Sequence, residues 1–254
     1  GDHMVVNGKI WPKAEVEPRN YRMRLLNGCD SRFLAVRFQS VSAGETELPA
    51  VSAPLPFWVI GSDQGLAAQA TQVDTLLINP GERYDIVFDF SQVPYGSRVI
   101  MENIGGDEPF GGDIPGAQDY GETDRVMAFD VIVDLDTDVP DLFEPAAIGH
   151  YAGNGAGVDR VRKVALFEGM DEFGRLQPLL GVAELTVDAA GNTVNGALAW
   201  HSPTTENPAL NSTEIWEIYN ATGDAHPVHL HLVNFEVLNR EGFTSDVIQQ
   251  PLVQ

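Results

Sequence analysis

The sequence predicts an all-β protein made of two β-sandwich domains in tandem, and three observations support this fold class. First, short segments rich in β-branched and aromatic residues recur, and several alternate apolar with polar residues as half-buried strands do. Second, turn-forming pairs such as Asn7-Gly8 and Glu241-Gly242 separate these segments, and no long helical periodicity with caps is present. Third, the pattern repeats along the chain. The predicted strands are Tyr21–Leu26, Phe33–Phe38, Tyr84–Phe90, Val126–Val133 and Thr213–Tyr219.

The internal repeat is the observation that predicts two domains rather than one. The segment Val6–Trp11 reads VNGKIW and is echoed by VNGALAW at Val194–Trp200. Each copy continues through a proline-containing polar stretch into an alternating strand that ends in asparagine, and then into a second apolar strand. The matching segments are Tyr21–Asn27 with Glu214–Asn220, and Phe33–Phe38 with Val228–Phe235.

Composition places the domain boundary between the two copies. Gly, Pro and Asp residues are dense from Asp134 to Gly157, as in a linker. We therefore predict one domain over residues 1–136, a linker over 137–159 and a second domain over 160–254. The second domain is short for a sandwich with strands still to complete, so we expect it to be incomplete.

Charge and cysteine content exclude several classes of function. The 254 residues carry 37 Asp and Glu against 15 Lys and Arg, a formal net charge of -22, so no basic stripe is available for nucleic acid. The single cysteine, Cys29, forms no intrachain disulfide and is predicted to be a buried or turn thiol. No window approaches the roughly 20 apolar residues of a membrane span, and no signal sequence opens the chain.

A histidine run predicts a metal site in the second copy. Three of the six histidines fall within His226–His231, whereas residues 5–149 contain none. On an extended strand His229 and His231 project to the same side, while His226 need not, so one segment could serve two metal centres. Neutral imidazole suits copper, zinc, iron and nickel, so ligand type alone does not select the metal. A surface cluster or a hydrogen-bonded core network, either without metal, is the alternative interpretation.

Two residues in or near the run, Pro227 and Asp224, could orient its imidazoles. Pro227 restricts the preceding residue to an extended or turn conformation, which would hold the first imidazole at the mouth of the strand. Asp224 either orients a ring through its second nitrogen or is an exposed turn residue. The isolated histidines His3, His150 and His201 are expected to be solvent or loop residues.

The run and several other segments resemble a known family. His226–Phe235 (HPVHLHLVNF), preceded by Thr213–Trp216, resembles the third-domain copper motif of laccase-like multicopper oxidases, best of all the bacterial branch of spore-coat laccase and bilirubin oxidase. The resemblance covers nearly the whole chain. Further matching segments are Gly1-Asp2, Val6–Pro12, Val16–Arg19, Tyr21–Arg24, Gly61–Asp63 and Pro80–Asp85.

This resemblance implies cupredoxin-like Greek-key sandwiches and copper as the cofactor. It implies that His226 ligates the type 1 copper, His229 the type 2 copper and His231 a type 3 copper, and that the first domain is the copper-free middle domain. Such enzymes oxidise phenols, pigments or metal ions one electron at a time and reduce dioxygen to water. The implied partners are thus a small-molecule reductant and dioxygen, and the implied location is extracellular, periplasmic or at a spore or cell surface.

The sequence also departs from the family pattern. The His-X-His pairs of the family's first domain and its closing His-Cys-His segment are absent from this sequence. We therefore expect an inactive fragment that completes neither the type 1 centre nor the copper cluster that reduces dioxygen. Two other hypotheses remain open. One is a zinc hydrolase in which His226, His229 and His231 share one metal, although a single strand does not easily converge three rings. The other is a non-catalytic β-sandwich binding or scaffold module.

Overall fold

The computed structural model describes residues 1–48, 53–107, 110–115, 122–149 and 157–243. The chain divides into two compact units: unit 1 comprises Gly1–Ala152 with Pro227–Asn234, and unit 2 comprises Gly153–His226 with Phe235–Gln254. Regular structure in the described residues consists of fifteen strands and two single 3-10 turns, so the predicted all-β fold is confirmed. None of the helical turns in the described part of the chain could cross a bilayer.

The strands fall between the two units as follows. In unit 1 they are β1 (Val5–Val6), β2 (Lys9–Ile10), β3 (Lys13–Val16), β4 (Asn20–Leu26), β5 (Leu34–Val41), β6 (Phe57–Ser62), β7 (Gly65–Val73), β8 (Leu76–Ile78), β9 (Arg83–Asp89), β10 (Arg98–Asn103) and β11 (Arg125–Val131). In unit 2 they are β12 (Arg160–Met170), β13 (Leu176–Val187), β14 (Thr193–Ala197) and β15 (Glu214–Asn220). The 3-10 turns are Phe90–Gln92 and Pro145–Ala147.

Unit 1 is a sandwich of two sheets around an aromatic core. One sheet has the order β3-β11-β10-β5-β8 and the other β4-β9-β6-β7, and β1 pairs with β2. Phe38 of β5 is fully buried, and its ring centroid lies 5.1 Å from that of Phe57 and 4.5 Å from that of Phe88, both on the opposite sheet. Phe129 of β11 lies 6.3 Å from Phe38. Alternating strand residues thus converge from both sheets on one core, which is what holds unit 1 together.

A partly buried cluster of charged side chains joins β10 and β11 to β3 in the same unit. Asp130 accepts hydrogen bonds from Arg98 Nε at 2.6 Å and Arg98 Nη2 at 3.1 Å. Lys13 Nζ donates to its Oδ2 at 2.8 Å. The Arg98 guanidinium, with the Lys13 ammonium, lowers the pKa of Asp130 from 3.8 to about 2, although partial burial of the carboxylate acts in the opposite direction. The carboxylate is therefore firmly ionised at neutral pH.

Unit 2 is built on a single four-stranded sheet of order β14-β13-β12-β15, in which β12 is antiparallel to β13 and parallel to β15. Its buried cluster is small, formed by Ala165, Phe167 and Ala197. Arg162 of β12 forms two hydrogen bonds with Glu214 of β15, at 2.6 and 3.0 Å, and both side chains are more than nine-tenths buried. The ion pair lowers the pKa of Glu214, and it joins the two parallel strands.

All five strands predicted from alternation are present, and their ends differ from the predicted ends by at most three residues. One segment of the repeat folds differently. Val228–Phe235 was expected to be a strand, and that prediction is wrong: these residues form no strand. Leu232 has a positive φ of 73° and a fully exposed side chain, a backbone conformation that interrupts any extended ladder. The predicted domain bounds, 1–136, 137–159 and 160–254, stay a prediction.

Candidate metal centre

A tight hairpin between β6 and β7 supports the candidate site in unit 1. Ser62 pairs with Gly65, so Asp63 and Gln64 form a two-residue connection. Gly65 has a φ of +120°, and a Cβ on Gly61 would lie 2.6 Å from the Gly65 carbonyl oxygen. Glycine is therefore required at position 65 for backbone freedom and at position 61, one residue before Ser62, for space. The result is that the side chains of Asp63 and Gln64 sit at the tip of a rigid turn.

The Asp63 carboxylate is held in place by Arg83, the first residue of β9. The Arg83 backbone N–H donates to Asp63 Oδ1 at 2.7 Å. The Arg83 guanidinium Nη1 lies 3.3 Å from Asp63 Oδ2. Because β9 is paired with β6, the donor and the acceptor are fixed in the same sheet. The side chain of Asp63 is about one-fifth exposed, so the carboxylate lies close to the surface. Its two contacts with Arg83 fix its orientation.

The predicted ligands His229 and His231 lie beside this hairpin tip. His229 Nδ1 is 2.9 Å from Asp63 Oδ2, and Gln64 Nε2 donates to the Leu230 carbonyl at 3.0 Å. The rings of His229 and His231 are neighbours, with centroids 4.8 Å apart and planes at 77°. They line an open pocket of about 310 Å³. The two imidazoles were expected on the same side of a strand; in the structure they are neighbours, although these residues form no strand.

His226 has its own surroundings in unit 2. Its Nε2 lies 2.8 Å from Thr222 Oγ1 and 3.5 Å from Glu168 Oε1. Thr222 is positioned by Asn220, whose Oδ1 accepts from the Thr222 hydroxyl at 2.8 Å. Asp224 was one candidate for orienting a histidine. Its backbone carbonyl accepts a hydrogen bond from Asn220 Nδ2 at 2.7 Å. The His226 ring instead contacts a threonine hydroxyl and a glutamate.

The other singled-out residues take no part in these arrangements. His3 is exposed and bonds Asp2 at 3.0 Å, and His201 is exposed. His150 lies outside the described residues. Cys29 is half-buried against the core of unit 1. Over the described ranges, no three His, Cys, Asp or Glu side chains come together in a group that could hold a metal ion.

The sequence contains Gly61–Asp63 as part of the family resemblance, but its pattern predicts no role for Asp63, Gln64 or Arg83. The available signal was the polar stretch Ser62–Gln64 between two glycines, which predicts a turn. What the sequence did not contain was the long-range contact, since Asp63 and His229 are 166 positions apart. A pattern within one segment carries no information about such a partner.

Comparison with known proteins finds similarity to multicopper oxidases, both in a family model and in individual relatives. The multicopper oxidase family model matches residues 175–251. The chain is 34% identical over 245 residues to a laccase of Bacillus subtilis, a match that covers 96% of this chain and 40% of the relative. It is 35% identical over 242 residues to a bilirubin oxidase of Albifimbria verrucaria, covering 94% of this chain and 37% of the relative.

A solved structure agrees with these matches. The McoA multicopper oxidase from the hyperthermophile Aquifex aeolicus is similar with a TM-score of 0.57 at 25% identity, over 91% of this chain and 44% of that one. The chain spans about two fifths of the length of the curated relatives that it matches. Over nearly its whole length this chain is therefore similar in sequence to part of the laccase-like multicopper oxidases, and it has a cupredoxin-like fold.

Proposed function

We propose that this chain contributes ligands to a copper-dependent oxidoreductase that couples one-electron oxidation of phenolic, pigment or metal-ion substrates to the reduction of dioxygen to water. In this proposal His226 serves a type 1 copper, His229 a type 2 copper and His231 a type 3 copper. The observation that carries it is the pair of adjacent imidazoles of His229 and His231 at the hairpin tip, inside a segment that the multicopper oxidase model matches.

The donor chemistry fits copper at this pair. Imidazole nitrogens are good ligands for copper, and a ring that donates through Nδ1 to a carboxylate keeps Nε2 available. Copper would supply the one-electron chemistry, while His229 and His231 would set its position. With two rings at this tip and no group of three in the described residues, the chain offers a partial ligand set.

The complete enzyme's activity therefore belongs to a protein that adds further ligands. The resemblance places those ligands in the His-X-His pairs of the family's first domain and in a closing His-Cys-His segment, neither of which this sequence contains; its one cysteine is Cys29 in unit 1. We expect the 254-residue chain by itself to bind copper without turning over substrate. A location outside the cytoplasm, or at a spore or cell surface, is part of the same proposal.

Copper(II) titration of the purified chain, followed by EPR, tests the ligand assignment. The expected result is a bound copper(II) signal with nitrogen hyperfine splitting, which weakens in His229→Ala and in His231→Ala. His201→Ala is the matched control, because His201 is exposed and distant in sequence from the run. A chain that gives no bound-copper signal would instead support the scaffold hypothesis. Stoichiometric zinc with no copper uptake would support the zinc hydrolase.

Activity is tested separately, on the full-length product of the gene. Dioxygen uptake is measured with a phenolic reductant, before and after copper loading. We expect copper-dependent uptake that is lost in His229→Ala and retained in His201→Ala. Uptake that survives the loss of His229, His231 and His226 together would overturn the assignment of these histidines to the reaction.

A further inference from the structure

We propose that Asp63 is a positioning residue for His229, holding its ring with Nδ1 protonated and Nε2 free to bind metal. Gln64, the second residue of the same loop, fixes the backbone beside that ring. This inference rests on the proposed copper function, because it names what orients one of the proposed ligands. It assigns a role to the β6–β7 hairpin tip, which supplies no metal ligand of its own.

The first step is the direction of the hydrogen bond. An ionised carboxylate can only accept hydrogen bonds, and a neutral imidazole donates from one nitrogen and accepts at the other. With 2.9 Å between Asp63 Oδ2 and His229 Nδ1, the shared proton therefore resides on Nδ1. The lone pair of the neutral ring is then on Nε2. A carboxylate in this place also fixes the plane of the ring and raises its basicity as a ligand.

The second step is the rigidity of the carboxylate. Asp63 sits in a two-residue loop between the paired residues Ser62 and Gly65, and Arg83 donates to it from the neighbouring strand. Oδ1 is committed to the Arg83 backbone N–H, so Oδ2 is the atom turned to His229. Orientation of the imidazole thus derives from a paired sheet and not from a mobile side chain.

The third step is the backbone of the histidine segment. Residues 227–234 have no strand ladder, and Leu232 has a positive φ, so regular pairing does not fix this segment. The hydrogen bond from Gln64 Nε2 to the Leu230 carbonyl restrains the chain between the two histidines. Asp63 and Gln64 therefore act on the same short stretch, one on a ring and the other on the backbone. Together they provide the support that a strand was expected to provide.

Two substitutions of Asp63 separate orientation from folding. Asp63→Ala removes the acceptor and should leave His229 with a mixture of tautomers. Asp63→Asn is sharper: its Oδ1 can still accept from the Arg83 backbone N–H, which turns the amide NH₂ toward His229. The imidazole must then accept at Nδ1, so the tautomer should reverse to Nε2–H. Asp74→Ala is the matched control, an exposed aspartate in the same unit.

The tautomer is read by long-range ¹H–¹⁵N NMR of the metal-free chain at about pH 8.5, where imidazoles are generally neutral. His229 is assigned by comparison with His229→Ala, and amide shifts of β6 and β7 report whether the hairpin is intact. We expect Nδ1–H in the unsubstituted chain and Nε2–H in Asp63→Asn. A His229 that is already Nε2–H, or a tautomer that ignores both Asp63 variants in a folded hairpin, would overturn the inference.

Copper(II) affinity provides the second readout. Loss of a carboxylate that orients a histidine ligand typically weakens metal binding about 10- to 100-fold, so we expect this for both Asp63 variants and no change for Asp74→Ala. If copper binds through His229 and neither variant alters affinity or tautomer, the positioning role is wrong and the proposed function stands. If the tautomer responds but no copper binds at His229, the orientation by Asp63 is supported and the proposed function is wrong.

Discussion

Replacing Asp130 by asparagine should remove a pH-dependent part of the stability of unit 1. Asp130 accepts from Arg98 and Lys13, and its side chain is about nine-tenths buried. Asparagine has nearly the same shape but does not ionise, so it isolates the charge. The comparison control is Asp74→Asn, which changes an exposed aspartate in the same unit.

The magnitude follows from the pKa of Asp130, which is about 2 in the folded protein against an ordinary value of 3.8. Because the folded pKa is the lower one, ionised Asp130 stabilises the fold above pH 3.8, and this contribution is lost as the pH falls through 2. The difference corresponds to about 2 kcal/mol in the free energy of unfolding, and about 1 kcal/mol of it is already lost at about pH 3.

Urea unfolding at about pH 7 and about pH 3 measures this effect. Trp200→Phe and Trp216→Phe in the background leave Trp11 and Trp58, both in unit 1, as the fluorescence reporters. The quantity of interest is the difference in free energy of unfolding between the Asp130→Asn variant and its parent. It should shrink by about 1 kcal/mol from pH 7 to pH 3. A difference that is constant over this interval would refute the reasoning, whatever its size.

Three further substitutions have definite expected outcomes. Phe38→Ala should lower the free energy of unfolding of unit 1 by about 3–5 kcal/mol, measured by urea unfolding, because a fully buried ring leaves a cavity between the sheets. Glu214→Gln should destabilise unit 2 by about 3 kcal/mol or more, seen as a lower midpoint of thermal unfolding, because the Arg162 charge stays buried without its partner. Gly61→Ala should cost about 1–3 kcal/mol and weaken copper(II) binding, since its Cβ overlaps the Gly65 carbonyl oxygen at the hairpin.

Each of these has a control that changes the same chemistry without the predicted contact. Leu26→Ala truncates an exposed side chain, and Glu236→Gln neutralises an exposed glutamate. Gly28→Ala adds a methyl group where no atom lies within 4 Å. These controls should stay within about 0.5 kcal/mol of the parent. If a control is as destabilised as its test variant, burial, charge pairing or steric overlap is not the cause.

The internal repeat in the sequence corresponds to matching local structure in the two units. Asn27 and Asn220 end the matching segments, and their side chains make similar hydrogen bonds. Asn27 donates to the Arg32 carbonyl and accepts from the Cys29 backbone N–H. Asn220 donates to the Asp224 carbonyl and accepts from the Thr222 backbone N–H, again two residues ahead. Short-range chemistry of this kind follows from the sequence, because asparagine bonds its own following turn.

The strand expected at Val228–Phe235 shows where that reasoning ends. Alternation of apolar residues and histidines describes a segment that would fit a sheet face, yet a strand also requires a paired neighbour, which a local pattern does not specify. In the structure the segment is irregular at Leu232 and is bonded through Gln64 instead. His229 and His231 were predicted to project to the same side of a strand, and in the structure their rings are neighbours without that strand.

His226 has different contacts from those of His229 and His231, and no strand is needed to explain the difference. His226 and Pro227 are consecutive, yet the first groups with unit 2 and the second with unit 1. His226 contacts Thr222 and Glu168, whereas His229 contacts Asp63. One short run can therefore present imidazoles in two chemically different settings. Thr222 and Glu168 form the surroundings of His226, whereas Asp63, which is distant from both in sequence, contacts His229. The histidine spacing marks the candidate ligands, and the carboxylate of the hairpin determines which nitrogen His229 presents.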